Sequence, residues 1–517
     1  MRAMIYRRKD FLMNAFLRRT ASATAALCLV APAAWSMTAE EAWDAWVSIA
    51  SQYGEDIAAA STEKVGDTLT AGGVTVKIEV EDLSISGELG DVTLTENSDG
   101  SVTIKTPEAF AIDMVAAPEY GEKVEAQINF ATPGLDTQAS EVGGITTFTY
   151  GAPEIVISVD DMKVDGEDVP FNIMAKLTGT TGTYAVGAGD DAAMTSEMTT
   201  EALDISFDGR DPEGGGNAKG TISVAGFSTT SAGQGNVLFM SPEKLPALLR
   251  AGAEVSGNST IGATTFEMSG QDGSDNFAVS GSMDGATLAM QLSGEQVTYA
   301  VNYQNFALTM SGSDIPLPEV SLALGETSVN VIFPLEQSDT PKPFMMAVGL
   351  KDLTLADGLW NMFDPGTVLP RDPATLTFNL AGQGNWLVDI LDEKTMAEGP
   401  QGVPGELHAL TVSDVLLKVA GAEFTADGAF TFDNSDLTTF DGLPAPDGTL
   451  NLKLVGGNAL IDKIVSMGYL PADQANMIKL SAGAFTRPGT DPDTLTSEIT
   501  VTPDGMVSAN GIPIPLK

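Results

Sequence analysis

The chain has 517 residues, and its 70 acidic and 26 basic residues give a formal net charge of −44 at pH 7. This charge argues against binding to nucleic acid or to anionic lipid headgroups, because like charges repel. A single histidine, His408, and a single cysteine, Cys28, argue against most zinc sites, iron–sulfur clusters and Cys or His nucleophiles. The hydrophobic fraction of 43% is high enough to form a folded core.

The first 36 residues have the pattern of a signal peptide. Arg18 and Arg19 precede an apolar stretch over 21–32, which is shorter than the roughly 20 residues that span a membrane. Small residues before the end of this segment predict cleavage after Ser36. The mature protein is therefore expected to be periplasmic, with no transmembrane segment left after the signal is removed.

Cleavage changes the composition of the chain. Residues 1–36 hold six basic residues and one acidic residue, so the mature chain has a net charge of −49 and no cysteine. Its stability in an oxidising compartment then owes nothing to disulfides. Two alternatives stay open: Met13 as the start instead of Met1, and twin-arginine export, suggested by Arg8 and Lys9, instead of the general secretory route.

After residue 70, apolar residues mostly alternate with polar ones, a period of two that is typical of antiparallel sheet. Asp-Gly pairs, which favour tight turns, recur along the chain and are expected to separate the strands. The sequence therefore predicts a mostly-β α+β fold, with elongated antiparallel meanders and a few short amphipathic helices. The clearest alternating runs are 74–80, 203–207, 288–292, 297–303, 306–310, 320–324, 376–380 and 450–454. The Asp-Gly pairs are Asp99-Gly100, Asp165-Gly166, Asp208-Gly209, Asp284-Gly285, Asp427-Gly428 and Asp504-Gly505.

Helices are predicted where a capping residue precedes apolar residues spaced three to four apart. Thr38 and Glu41 form a capping box before a stripe that runs from Trp43 to Ile57. Further helices are predicted from Ser241-Pro242, over 385–396 and over 458–480, the last with a break at Pro471.

The predicted domains are a signal peptide over 1–36 and two β-rich halves. The N-terminal half covers 37–250 with the leading helix, and the C-terminal half covers 251–517 with helices near 385–396 and 458–480. A proline, a strand that begins with threonine, a glycine and a helix recur three times at uneven spacing. That spacing favours duplicated sheet-plus-helix units over a regular solenoid or propeller.

No catalytic, cofactor-binding or metal-binding residue is predicted. His408 lies in a strand pattern, and a catalytic role would need a Ser or Asp partner that the sequence does not supply. Adjacent carboxylates are expected by chance in so acidic a chain. The segment 160–168 is the best calcium candidate, but its ligand spacing matches no known loop. Methionines such as Met310, Met345 and Met346 fit either an adaptable groove or a filled core.

Several short segments resemble the domain-of-unknown-function 2125 family (DUF2125), which consists of exported proteins of alphaproteobacteria. The resemblance extends over the mature chain and rests on turns and helix caps, so it implies no site residues and no established activity. The segments that carry it are 38–43, 443–450, 456–463, 467–471, 487–489 and 495–497.

The architecture is also similar to that of the AsmA-like proteins, which form an open β-groove with an apolar inner face and are implicated in moving lipids between membranes. This chain differs in keeping no N-terminal anchor once the signal is cleaved. The function expected is that of an exported, non-enzymatic periplasmic protein that binds a hydrophobic ligand or envelope component along an apolar sheet face. The alternatives are a structural or adhesive envelope protein and a carboxylate-dependent hydrolase.

Overall fold

The computed structural model describes residues 36–52, 55–80, 82–118, 121–187, 192–211, 215–234, 245–392, 395 and 404–514. Apart from Ser36, the predicted signal peptide lies outside these residues. The chain divides into two compact units. The first comprises Met1–Met240 and Met268–Ser274, and the second comprises Ser241–Glu267 and Asp275–Lys517.

The first unit begins with helix α1 (Ala39–Gln52) and continues in antiparallel strands. Its described strands are β1 (Glu55–Val65), β2 (Thr68–Val80), β3 (Leu83–Glu96), β4 (Val102–Lys105), β5 (Ala109–Ala116), β6 (Val124–Ala131), β7 (Asp136–Val142), β8 (Ile145–Val164), β9 (Glu167–Val169), β10 (Phe171–Gly187), β11 (Ala193–Thr200), β12 (Ala202–Arg210) and β13 (Asn217–Gln234).

The predicted capping box of α1 is confirmed. The backbone N–H of Thr38 donates to Glu41 Oε2 at 2.8 Å, and the backbone N–H of Glu41 donates to Thr38 Oγ1 at 3.2 Å. Trp43 and Trp46 lie on the buried face of the helix, with their rings edge to face at 5.7 Å. The predicted stripe extended too far, because the helix ends at Gln52. Ile57 belongs to β1 and reaches the same core from the sheet.

The main core of the first unit lies between α1 and the sheet. Phe148 on β8 is among its largest fully buried side chains and pairs in register with Ala139 on β7 and Tyr184 on β10. A second, smaller cluster centres on Ile128 and Phe130 of β6. Both clusters of buried apolar residues thus belong to the first unit.

The second unit is also an antiparallel meander with short helices, which confirms the predicted mostly-β α+β fold. The described strands of this second unit are β14 (Val255–Asp272), β15 (Asp275–Met283), β16 (Gly285–Leu292), β17 (Gln296–Gly312), β18 (Val320–Pro334), β19 (Lys342–Leu355), β20 (Ala374–Trp386), β21 (Gly405–Val419), β22 (Ala422–Asp433), β23 (Ala445–Val455), β24 (Arg487–Pro488), β25 (Thr494–Val501), β26 (Val507–Ala509) and β27 (Ile512–Ile514). Although most of β14 belongs to the second unit, its last residues belong to the first. The described helices of the second unit are α2 (Leu245–Arg250), α3 (Asp357–Phe363), α4 (Gly457–Ser466) and α5 (Ala472–Phe485). No helix among the described residues of either unit has the length and apolar character of a membrane-spanning segment.

Three bulges interrupt the pairing of this meander. The register shifts by one residue where β19 pairs β20, beside Asp352, where β21 meets its neighbours, beside Asp414, and near the start of β21, beside His408. Both aspartates have a positive φ, of 58° and 53°. Asp and Asn tolerate this left-handed conformation better than most residues do, and an extra residue in one strand bends and twists the sheet locally.

The helix predicted over 385–396 is wrong at its start, because Asn385 and Trp386 are the last residues of β20 and pair with β21. Trp386 Nε1 donates to the carbonyl of Pro334 at 2.8 Å, and Asn385 Nδ2 donates to the carbonyl of Ser338 at 2.9 Å. These long-range bonds hold the segment extended. The ring of Trp386 packs against Phe333, with 5.6 Å between the ring centroids.

Two of the Asp-Gly predictions are also wrong. Asp99-Gly100, Asp165-Gly166 and Asp504-Gly505 do form turns, whereas Asp208-Gly209 and Asp427-Gly428 lie inside β12 and β22. A Cβ at Gly209 would lie 2.6 Å from the ring of Phe171, and one at Gly428 would lie 2.4 Å from a backbone oxygen. At these positions glycine allows close approach of a neighbour rather than a turn.

Helix α4 begins at Gly457, and a remote aspartate caps it instead of the predicted Asn458. Asp493 Oδ1 and Oδ2 accept the backbone N–H groups of Asn458 and Ala459 at 3.2 and 2.9 Å. The chain then breaks at Pro471, as predicted, and α5 runs on to Phe485. Asp493 thereby fixes the loop before β25 to the start of α4.

Replacing this cap should destabilise the protein moderately. We expect Asp493→Ala to lower the free energy of unfolding by about 1–2 kcal/mol, because two helical N–H groups lose their acceptor. Asp493→Asn should cost less, since it keeps an acceptor oxygen and tolerates the positive φ of 50° at this position. Urea unfolding measures both, with exposed Asp491→Ala as the control. Equal losses for Asp491→Ala and Asp493→Ala would contradict this role.

Candidate functional site: an apolar sheet face in the second unit

The registers of the second unit align large apolar side chains on one face of its sheet. Residues paired directly across antiparallel strands point to the same face, so a chain of pairs traces one row. One such row crosses nine strands, from β16 to β25, over roughly 40 Å at the usual strand spacing. This apolar row consists of Met290, Tyr299, Val331, Met346, Leu380, Val412, Gly428, Leu450 and Ile499.

Parallel rows on the same face are apolar as well. Gly382 and Gly448 leave room in one of them for the rings of Phe344 and Phe430, which lie over the glycines. The row on one side consists of Leu288, Val301, Val329, Val348 and Phe378. The row on the other side contains Leu292, Val297, Phe333, Phe344, Gly382, Leu410, Phe430 and Gly448.

The opposite face of the same strands has a different composition. It carries mostly small or polar side chains, although Ile332 and Met345 are exceptions. The two faces therefore differ in character along the whole meander, as strict alternation predicts. The row next to the apolar row on this opposite face consists of Gln291, Thr298, Ile332, Met345, Ala381, Thr411, Ala429, Thr449 and Thr500.

No residue of the apolar row is buried. Met346, at its centre, is 46% exposed, and Leu288 and Phe333 in the flanking rows are also exposed. In the first unit, by contrast, the side chains beneath α1 are fully enclosed. An apolar surface of this extent, left partly accessible, is typical of a binding surface rather than of a finished core.

A polar cluster lies where β20 ends and β21 begins. His408 Nε2 lies 2.7 Å from Asn385 Oδ1 and 3.5 Å from Glu406 Oε2. The register of β20 with β21 shifts beside His408, and Asn385 pairs with Glu406, so these two residues lie on the face opposite the apolar row. His408 thus lies in a strand, as predicted, beside an amide and a carboxylate.

A depression of about 390 Å³ lies at the same end of the strands. Arg250 at the end of α2 pairs with Asp389 across it, with 2.9 Å between Arg250 Nη2 and Asp389 Oδ2. Glu254, Glu295 and Glu336 also line it. The charged lining distinguishes this depression from the apolar face beside it.

The helices α3, α4 and α5 lie at the other end, where β19 and β23 end and β20 and β25 begin. Asp364 after α3 is buried and accepts the backbone N–H groups of Val368 and Leu369 at 2.9 and 2.8 Å. Burial raises its pKa, but these two hydrogen bonds and the charge of Arg371 together outweigh that effect and hold the pKa below its usual value. Arg371 also lies over the ring of Trp360, so it ties the loop back to α3.

The predicted calcium segment forms the β8–β9 hairpin of the first unit. Asp165 Oδ1 accepts the backbone N–H of Lys123, and Asp168 pairs with Lys163, so these acids are engaged with the protein. Among the described residues, no group of three or more His, Cys, Asp or Glu residues is placed to hold a metal ion. Asp190 and Asp191, one of the adjacent carboxylate pairs in the sequence, lie outside the described residues.

Comparison with known proteins found a family match, and it lies almost entirely within the second unit. A family described as an uncharacterized protein conserved in bacteria, DUF2125, matches residues 246–515, about half of the chain. The chain belongs to the DUF2125 family. The match covers nearly all of the second unit, and with it the apolar row and the helices α3–α5. No curated protein and no solved structure matches the chain.

The DUF2125 match leaves the segment 38–43, one of those that carried the resemblance, outside its bounds. The sequence identified several strands of the apolar face but missed how they align. Residues 344–350 alternate as Phe344, Met346, Val348 and Leu350, yet Met345 and Ala347 obscure the pattern. Of the three methionines singled out, Met346 lies on the apolar face, Met345 lies on the opposite face, and Met310 pairs with Val320.

Proposed function

We propose that this DUF2125 protein is an exported, non-enzymatic binding protein whose second unit holds a hydrophobic ligand, of the class of lipid acyl chains, along the apolar row. The observation that carries the proposal is a row of eight apolar side chains and one glycine across nine strands, without one buried member. Export rests on the signal pattern of residues 1–36.

The dimensions of the face suit such a ligand. A row of roughly 40 Å exceeds the ~15 Å depth of one bilayer leaflet, so an extended acyl chain fits along it. Each methylene removed from water contributes about 0.8 kcal/mol, and this gain does not depend on direction. A broad surface of Met, Val, Leu and aromatic side chains therefore favours chains of varied length over a single rigid ligand.

The test is to purify the full chain from its native compartment and identify bound lipids by native mass spectrometry and lipid extraction. We expect co-purified lipid in the wild-type protein and at least a fivefold loss in Met346→Glu, because a carboxylate at the centre of the row is costly to desolvate against a hydrocarbon chain. Met346 is exposed in the free protein, so the substitution should leave the fold intact.

Thr411→Glu is the matched control. It places the same charge at an exposed position of β21, one residue from Val412 but on the opposite face. Circular dichroism spectra are needed to check that both variants fold. Lipid-free wild-type protein, or equal lipid content in Met346→Glu and wild type, would contradict the proposal. A face covered by a second copy of the chain would appear as a dimer that Met346→Glu dissociates.

A further inference from the structure

Helix α5 turns its large apolar side chains outward. Ala475 is buried and Ala482 partly buried, and these small residues, seven positions apart, face the protein. Met477, Leu480 and Ala484, spaced as i, i+3 and i+7, lie on the opposite side of the helix, and all are exposed. A surface helix of a globular protein normally has the reverse arrangement.

The exposed apolar surface extends beyond α5. Tyr469, in the turn after α4, donates its hydroxyl to the carbonyl of Phe363 at the end of α3, with 2.7 Å between the oxygens. This bond connects the exposed side chains of α3 with the turn that leads into α5. We call the whole set the helical patch; it consists of Met362, Phe363, Tyr469, Met477, Ile478, Leu480 and Phe485.

The charge of this region differs from that of the chain as a whole. Residues 457–490 hold two acids and three bases, in a protein whose net charge is −44. One of the bases, Lys479, pairs with Asp462 at 2.6 Å. The α4–α5 part of the helical patch therefore lacks the acidic surround that would repel a headgroup layer.

We propose that the helical patch docks this protein on the surface of a lipid bilayer with zwitterionic headgroups. In this arrangement α5 lies in the plane of the interface, with Met477 and Leu480 towards the acyl chains. Tyr469 lies at headgroup depth, where aromatic residues with a polar end are favoured, and Lys479 remains on the protein side.

Protruding side chains on a helix favour a bilayer over a protein partner. Leu480 is 77% exposed and Tyr469 63% exposed, so both stand well clear of the surface. A fluid lipid layer accepts such side chains without a complementary shape, whereas a protein partner must supply a matching groove. The near-neutral charge of 457–490 suits a zwitterionic surface rather than a strongly charged partner.

The docking goes beyond the proposed ligand binding and does not require it. The helical patch lies at the strand ends of the sheet that carries the apolar row, since α4 directly follows β23 and α3 joins β19 to β20. Docking there brings one end of the apolar face close to the bilayer. Because the two surfaces have no residue in common, separate variants test them.

The test measures binding of the purified full chain to vesicles of phosphatidylcholine and phosphatidylethanolamine by flotation. We expect wild-type protein to float with the vesicles and the double variant Met477→Glu/Leu480→Glu to lose at least fivefold in bound fraction. Leu443→Glu is the matched control, because Leu443 is 68% exposed but precedes β23, at the opposite end of the strand from α4. This control should bind like wild type.

Further readouts separate this proposal from its alternatives. Met346→Glu is expected to bind vesicles like wild type, so that ligand loss and docking loss are distinguished. Failure of the wild type to float, or equal flotation of the double variant, would overturn the docking proposal. Self-association of wild type that the double variant abolishes, without vesicle binding, would overturn it in favour of a protein interface. Circular dichroism spectra confirm that the variants fold.

Discussion

Phe148→Ala is expected to lower the free energy of unfolding by about 3–5 kcal/mol. Phe148 is 2% exposed and lies in the core cluster beneath α1. Its in-register neighbours Ala139 and Tyr184 are themselves buried and belong to rigid strands, so the vacated space cannot collapse easily. Urea unfolding followed by tryptophan fluorescence measures the loss, since Trp43 and Trp46 line the same core.

The matched control for this prediction is Ile145→Ala on the same strand. Ile145 is 48% exposed, so its truncation removes apolar surface that is already in contact with water. We expect a change below about 1 kcal/mol. If the two variants lost similar stability, Phe148 would not be part of a well-packed core in solution.

Glu55→Gln is expected to stabilise the protein at pH 8 and to have little effect at pH 4. Burial raises the pKa of Glu55 from 4.5 to about 7. Below pH 4.5 the side chain is protonated in both the folded and the unfolded state, so it imposes no penalty. As the pH rises from 4.5 to 7, the unfolded chain releases its proton while the folded chain retains it, and stability falls.

Above pH 7 the full cost is present, on the order of 3 kcal/mol for a shift of this size. Glutamine carries no charge and removes the cost. Urea unfolding of wild type and variant at pH 4, 6 and 8 measures the difference, which should grow with pH. Asp56→Asn, at the exposed neighbouring position of β1, is the control and should not reproduce this trend. A stability difference that does not depend on pH would contradict the role of burial.

The elements that could be predicted from the sequence are those fixed by local interactions. The capping box at Thr38, the stop at Pro471 and the alternating runs each depend on residues a few positions apart, and the structure contains all of them. The antiparallel pairing also follows from alternation, because a sheet with two different faces needs one apolar side per strand.

Elements that depend on distant residues could not be predicted. Asn385 and Trp386 extend β20 because the carbonyls of Ser338 and Pro334, about fifty positions earlier, accept their hydrogen bonds. Asp493 replaces the expected cap of α4 from the far side of α5. The sequence also does not predict which side of α5 faces solvent. A spacing of three to four shows that the helix has an apolar stripe, but not which side the protein covers.

The apolar row lies between these two cases. Each strand shows its own apolar face, but only the pairing registers show that Met290 and Ile499 belong to one row nine strands wide. No periodicity within a strand encodes that alignment. It depends on turn lengths and bulges, which sequence patterns describe poorly.

The bulges at Asp352 and Asp414 have a consequence for how the sheet is assembled. A slip of β19 by one residue would move Met346 to the opposite face and replace it with Met345 or Ala347. A bulge fixes the register of its strand. Its extra residue has no partner and needs a left-handed conformation, so the bulge can form at one position only. The two bulges lie on alternate strands, β19 and β21. A slipped register would misplace the bulge residues, so it would be less stable than the correct register during folding. Deleting either aspartate would therefore change the pairing register and break the alignment of the apolar row, although every apolar side chain would still be present.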